Sequence, residues 1–496
     1  MSTMSRTLRT SALALACFAA FPAAHAAHVD PRLTAAPADA DALIIFASAD
    51  KTLSPLAPDA NYKVRRAALV DALRAHADTT QRDVRAWLDA NGIAYRSYWI
   101  ANVIEARLPP SALAALGARS DVLRIESNVR IPLSLPAGAT RGPASPDAIS
   151  WGVTKIDATS VWAAGFTGQG IVVAGEDTGY QWDHPALQPQ YRGWDGAAAE
   201  HDYNWHDSIH DSSGNPCGND SPEPCDDVGH GTHTAGTFAG DDGATHQTGV
   251  APGAKWIGCR NMDAGAGTPA RYIECMQWML APTDLADANP NPELAPDIVS
   301  NSWGCPASEG CTVGDEIEQA VENVVAGGIF FVASAANDGP ACETIGTPPA
   351  IYDASFVVGA TDSNDRIAGY SSRGPVVAST LIRPDLAAPG SSVLSSLPPN
   401  TYGTLSGTSM AAPHVSGTAA LLMSVDPSLK GHPDRVAAIL RASTVTDGIT
   451  DPSNSGCGGL TMSDWPNYQA GFGRLDALAA VILADTIFAD GFESSP

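Results

Sequence analysis

Lysine and arginine are scarce in this 496-residue chain: 28 of them stand against 54 aspartates and glutamates, a formal net charge of −26. The shortage is confined to one part. Residues 27–141 hold 14 basic against 12 acidic side chains, whereas residues 142–496 hold 12 against 42. A main region this acidic argues against nucleic acid as a partner, because phosphate contacts are made by Lys and Arg. Long hydrophobic runs are missing as well. Beyond the first residues no stretch reaches about 18 uninterrupted apolar side chains, so no membrane span is expected. Internal repeats are absent, and Cys217, Cys225, Cys259, Cys275, Cys305, Cys311, Cys342 and Cys457 follow no zinc-binding spacing. What remains is an ordinary globular composition, 44% hydrophobic, long enough for a large core and more than one domain.

The opening "MSTMSRTLRTSALALACFAAFPAAHA" carries Arg6 and Arg9, an apolar run too short to span a bilayer, and then Ala24-His25-Ala26. This is the pattern of a secretory signal peptide over 1–26, so the mature chain is expected to be secreted, extracellular or periplasmic. A lipid anchor on Cys17 fits poorly, since Ala14 stands where a larger aliphatic is expected. Removing Cys17 leaves an even number of cysteines in an exported chain, which favours disulfides. Short loops point to Cys217 with Cys225 and Cys305 with Cys311; the partners of the other four stay open.

Residues 42–128 read as a small α+β unit in the order β-α-β-β-α-β, a split βαβ or ferredoxin-like arrangement with one long helix from about Val64 to Asn91. The stretch "LSLPAGATRGPASPDA" follows as an accessible linker. Beyond it, "GIVVAGEDTG", "AKWIGCRNMD", "PDIVSNSWG", "GGIFFVASAAN" and "SFVVGAT" read as buried strands with helices between several of them. That alternation predicts an α/β domain over 142–485, its mainly parallel sheet covered on both faces, with functional groups where strands end. Residues 486–496 form a short tail.

Three local signals sit in the second part: Asp177 at a strand end before Thr-Gly, His230 among glycines at a helix start, and Ser409 in "SGTSMAAPHVSG". Each alone has a plain reading. Asp177 could form a turn, and Ser409 could cap a helix with Pro413 in its first turn. His230 and His233 could be a metal pair, though no acidic third ligand is suitably spaced. Together they read as a triad, because a hydroxyl becomes a useful nucleophile only when an imidazole takes its proton and a carboxylate steadies that imidazole. The order Asp, His, Ser is one of the known triad orders. An esterase elbow, Gly-x-Ser-x-Gly, fails because position 411 is Ala. An inactive binding fold is disfavoured because no triad position is lost.

The segments "DTG", "HGTH" and "GTSMAAPH" resemble the signatures of the subtilisin-like serine peptidases, over about residues 150–480, and "YNWHD", "GVAPGAKWI", "PELAPDIVSNSWG" and "WMLAPTD" look most like the bacillopeptidase F branch. The resemblance implies a three-layer subtilisin-like fold and a serine endopeptidase that cleaves proteins and peptides through an acyl-enzyme. In it Ser409 is the nucleophile, His230 the general base and acid, and Asp177 the orienting carboxylate. Asn337 matches the oxyanion donor, although Ala336 stands where the family usually has Gly. Gly265 to Gly267, and Ser302, Trp303 and Gly304, resemble the segments that sandwich an extended substrate. Gly346 matches the floor of the specificity pocket and Asp338 an acid at its mouth, implying tolerance for large apolar or basic side chains. Residues 27–141 resemble an inhibitory and chaperoning propeptide that the enzyme removes itself, a reading the opposite charge balance of the two parts supports. A monomer is implied, with no required cofactor and structural calcium compatible with the family. The loop "DSSGNPCGNDSPEPCDD" has oxygens but no regular calcium pattern and reads as an exposed, disulfide-pinned loop.

Overall fold

The computed structural model describes residues 27–136 apart from 37 and 49–60, and residues 149–489 apart from 213 and 378. The expected signal peptide and most of the expected linker therefore lie outside the described residues. The first unit builds a five-stranded sheet from β1 (His28–Val29), β2 (Ala40–Ile45), β3 (Tyr95–Tyr98), β4 (Val103–Leu108) and β5 (Arg124–Ser127), in the order β1-β5-β2-β4-β3. Its β2-helix-β3-β4-helix-β5 succession is that of a split βαβ unit, with β1 added alongside β5. The long helix expected over 64–91 is two, Tyr62–Thr80 and Arg82–Ala90. Buried Gln81 stands at the joint, where its amide donates to Asn102 Oδ1 at 2.9 Å and its oxygen accepts from Ser97.

Both faces of this sheet are apolar. Along β2, Ala42 and Ile44 enter the unit's own core, while Leu43 and Ile45 point the other way, as the period of a strand requires. A sheet buried on two sides needs two covers. Here the second cover is the rest of the chain: Leu43, Ile45, Tyr98, Ile100 and Val103 share one hydrophobic cluster with the helices Pro269–Leu280 and Gly314–Ala326.

After β6 (Ile131–Pro132), the main domain contributes β7 (Val172–Asp177), β8 (Trp205–Asp207), β9 (Lys255–Arg260), β10 (Met262–Asp263), β11 (Ala266–Gly267), β12 (Ile298–Asn301), β13 (Phe330–Ser334), β14 (Phe356–Thr361) and β15 (Leu386–Pro389), then the hairpin of β16 (Val393–Leu397) and β17 (Thr401–Leu405). Seven strands in the order β15-β14-β13-β12-β7-β9-β8 form one parallel sheet. Helices His230–Ala239 and Thr408–Val425 pack on one face and the helices shared with the first unit on the other, giving the three-layer α/β fold expected. The five β-branched runs read from the sequence are β7, β9, β12, β13 and β14. Two strands escape that reading: β8 has three residues, and β15, "LAAP", has no β-branched side chain.

All eight described cysteines are paired. Cys217–Cys225 and Cys305–Cys311 join as the short loops suggest, and Cys259–Cys275 and Cys342–Cys457 complete the set. The last helix, Ala477–Ala489, runs past the expected domain end at 485.

Candidate active site

Parallel sheets gather functional groups at the carboxyl ends of their strands, and β7 ends on Asp177, 2% exposed. Its Oδ1 accepts from His230 Nδ1 at 2.7 Å and from the Thr178 N–H at 2.7 Å, while Oδ2 accepts from Thr234 Oγ1 at 3.2 Å. The carboxylate is thereby oriented before the imidazole adds to it. His230 opens the helix that ends at Ala239. The turn leading to it is tied by Asp226, which accepts from the N–H groups of Val228, Gly229 and Thr232 and from the Thr178 hydroxyl. Gly231 is required by close approach, since a Cβ there would come within 2.1 Å of the Gly179 carbonyl oxygen. Burial pushes the His230 imidazole down, and the charge and hydrogen bond of Asp177 more than offset it, so its pKa is raised. Nε2 stays buried without a hydrogen-bond partner. His233, three residues on, aims Nε2 at the carbonyls of Val393 and Gly403 instead, so the two imidazoles do not form a ligand pair.

Ser409 is the second residue of the Thr408–Val425 helix, 2% exposed. Pro413 lies in the interior of that helix and not in its first turn as expected. It has no N–H to give to the carbonyl four residues earlier, which is that of Ser409. The Ser302 hydroxyl takes that carbonyl at 3.3 Å, linking the serine helix to the Ser302-Trp303-Gly304 segment.

Asn337 follows β13. Its Oδ1 accepts from the Thr408 N–H at 2.9 Å and the Thr408 hydroxyl at 3.0 Å, so its NH₂ is turned outward. Nδ2 donates to the Ser134 carbonyl at 3.0 Å. Ala336 has φ +74, the left-handed region that glycine occupies freely, which accounts physically for the glycine usual there.

A cleft of about 190 Å³ is lined by Ser302, Trp303, Gly304, Asn337, Asp338 and Ser409, with Pro132, Leu133 and Ser134 of the N-terminal unit also at its wall. β6 pairs antiparallel with β11, setting Ile131 opposite Gly267 and Pro132 opposite Ala266, and the Leu133 N–H donates to the Gly265 carbonyl at 2.7 Å. Gly346 does not line this cleft; its neighbour Thr347 does, and so does Glu309, carried on the loop closed by Cys305–Cys311. The sequence held no signal for Glu309, for the Thr408 contact with Asn337, or for the seat of 131–134, because all depend on segments far apart in the chain. In the loop at 211–227, Asn215 donates to Asp227 and Asp263, and Ser212 to Asp263. Among the described residues no group of His, Cys, Asp and Glu gathers as a cation would require.

The subtilase family model matches residues 168–459. Bacillopeptidase F of Bacillus subtilis (strain 168) is 36% identical over 436 residues, covering 84% of this chain but 28% of its own length. Serine protease AprX of the same strain is 31% identical, covering 73% of this chain and 78% of its own. Subtilisin DY of Bacillus licheniformis is 35% identical over 57% of this chain and 86% of its own.

Proposed function

The chain belongs to the subtilase family, and from that premise we propose that it is a secreted serine endopeptidase made as a precursor whose N-terminal part, expected over 27–141 and cut after Ser134, acts as an inhibitory, chaperoning propeptide removed by its own triad. The observation that carries the reading is the hydrogen bond from Asn337 to the Ser134 carbonyl, made while Ile131 and Pro132 pair with β11 beside Ser409. A peptide held in this way lies as a substrate would, and the bond we assign for cleavage is Ser134–Leu135.

The chemistry follows from the groups present. His230 Nε2 takes the Ser409 proton as Oγ bonds to the Ser134 carbonyl carbon; the carbonyl oxygen becomes an oxyanion held by Asn337 Nδ2 and favoured by the start of the serine helix. His230 then gives its proton to the Leu135 nitrogen as the peptide bond breaks. Water, deprotonated by the same imidazole, releases Ser134 as a free carboxyl end. Asp177 keeps the imidazole oriented and stabilises its charged form. Protein and peptide substrates use the same backbone pairing once the propeptide leaves. No helix among the described residues is long and apolar enough to cross a membrane.

The test is the intact mass of protein secreted from a host without other extracellular proteases. Wild type should begin at Leu135, and Ser409→Ala should accumulate as a precursor beginning at Ala27, with kcat on casein lowered about 10⁶-fold. A Ser409→Ala product trimmed like the wild type would mean that another protease matures it, and self-processing would be abandoned.

A further inference from the structure

Glu176 precedes Asp177 on β7 and is fully buried, yet the triad chemistry makes no use of it. Neither carboxyl oxygen has a partner at full hydrogen-bond geometry. Strand register sets Asn301 of β12 beside it, and Asn261 follows the end of β9 with its N–H on the Asp177 carbonyl at 2.9 Å. The carboxyl faces the Trp303 indole N–H and the Asn261 carboxamide. These neighbours are buried and otherwise unsatisfied: Trp303 Nε1, both polar atoms of the Asn261 side chain, and Asn301 Oδ1.

The inventory of donors and acceptors decides the chemistry. Trp303 can only donate, and the oxygens of Asn261 and Asn301 can only accept. Trp303 and the Asn261 carboxamide donate to the carboxyl and by themselves favour the anion, whereas the buried, unsatisfied Asn301 Oδ1 beside it needs a donor that only the carboxylic acid supplies. Burial without a cation also pushes the carboxyl well above its usual range. Trp303 is the part of this cluster that reaches substrate, since it lines the cleft and stacks on Tyr272 at 4.0 Å.

We propose that Glu176 is a positioning residue working as a neutral carboxylic acid: it holds the edge of the Trp303 indole, and so keeps the Ser302-Trp303-Gly304 wall in register with a bound peptide strand. The inference rests on the reading of this groove as the peptide site. Tyr272 fixes the face of the indole and Glu176 its N–H edge.

The experiment compares processed wild type, Glu176→Gln, which keeps a neutral donor and acceptor, and Glu176→Leu, which keeps the volume alone. Glu176→Leu should raise KM for a peptide substrate about fivefold or more with kcat nearly kept, and Glu176→Gln should restore KM to within about twofold. Wild type at neutral pH should show the infrared carbonyl stretch of a protonated carboxylic acid, lost in Glu176→Gln. A wild-type KM in Glu176→Leu, a Glu176→Gln as impaired as the leucine variant, or a wild type lacking the acid band would overturn the proposal. Should Glu176→Leu fail to fold, the glutamine variant and the band still decide. Labelling of Ser409 by a fluorophosphonate separates the two readings: an unlabelled, inactive wild type would sink the peptidase reading, while the infrared band would still report on Glu176.

Discussion

The N-terminal unit meets the main domain in two places that differ in kind. In the groove the contacts are made by backbone: the pairing of β6 with β11, the Leu133 N–H on the Gly265 carbonyl, and Asn337 on the Ser134 carbonyl. Any extended peptide offers those groups. On the helix face a buried side-chain cluster is added to a few backbone contacts, the Trp99 N–H on Gln277 Oε1 and Asn323 on the Ile100 carbonyl, each at 2.7 Å. Tyr98 bonds both Glu105, in its own unit, at 2.7 Å and Glu274, in the helix Pro269–Leu280, at 2.8 Å. Glu274 also meets His206 and His210, each at 2.9 Å, and His210 is backed by Asp220. Asp287 lies 3.4 Å from His206, and Arg96 lies 3.9 Å from Asp220. A phenol has one proton, so of the two carboxyls bonding Tyr98 one must itself be the donor. Burial pushes Glu105 up. Burial opposes ionisation of Glu274 too, but the hydrogen bonds of His206 and His210 hold it well below the usual carboxylate range. Glu105 is therefore the proton donor and Glu274 the anion. The groove contacts are ones that any extended peptide can make, whereas the cluster is built from side chains particular to this unit and shares a proton among them.

The largest effect is expected at the groove. Asn337→Leu removes the proposed oxyanion donor and should lower kcat by about 10²- to 10³-fold with little change in KM, a magnitude carried over from subtilisin; steady-state kinetics on a peptide check it, and an unchanged kcat would remove Asn337 from its role. At the cluster, Tyr98→Phe in a Ser409→Ala precursor deletes the hydroxyl and leaves two buried carboxyls facing each other. It should speed digestion of the N-terminal unit by an added protease about tenfold.

A finer effect is the pH dependence contributed by the cluster. Burial pushes His210 down, but the bond and charge of Glu274 outweigh it and raise the imidazole to about 9. A raised cationic pKa contributes stability that is fully present below the ordinary value of about 6.5 and is lost as pH climbs through the folded value. The melting temperature of the Ser409→Ala precursor should thus fall between about pH 6.5 and 9, and His210→Gln should flatten that slope. The smallest change is back in the groove: Ala336→Gly relieves the left-handed alanine and should stabilise the chain by about 1 kcal/mol, read from chemical denaturation. A destabilised glycine variant would mean that the strain at 336 is not borne by the backbone.

Asp177, His230 and Ser409 stood out as candidates in the sequence because each stands in a short motif whose local needs are written beside it, such as the close approach at Gly231 and the small side chains around Ser409. The five buried strands were legible as β-branched runs. Pro413 misled, because a proline near a serine cap reads as a helix start, and only the helix as folded shows that it begins at Thr408 and that Ser302 compensates for the missing N–H.

Along the chain alone one can read which carboxylate, imidazole and hydroxyl are candidates, which short segments carry them, and the opposite charge of the two parts. Tertiary structure alone decided partners. That Asn337 turns its NH₂ outward depends on Thr408, 71 positions away, and that Glu274 stays an anion depends on histidines 64 and 68 positions before it. Such pairings cost chain entropy to bring together and leave no periodic trace along the chain. Only the packed sheet, with both faces covered, sets the distances over which an orienting carboxylate, a shared proton or a neutral buried acid can act.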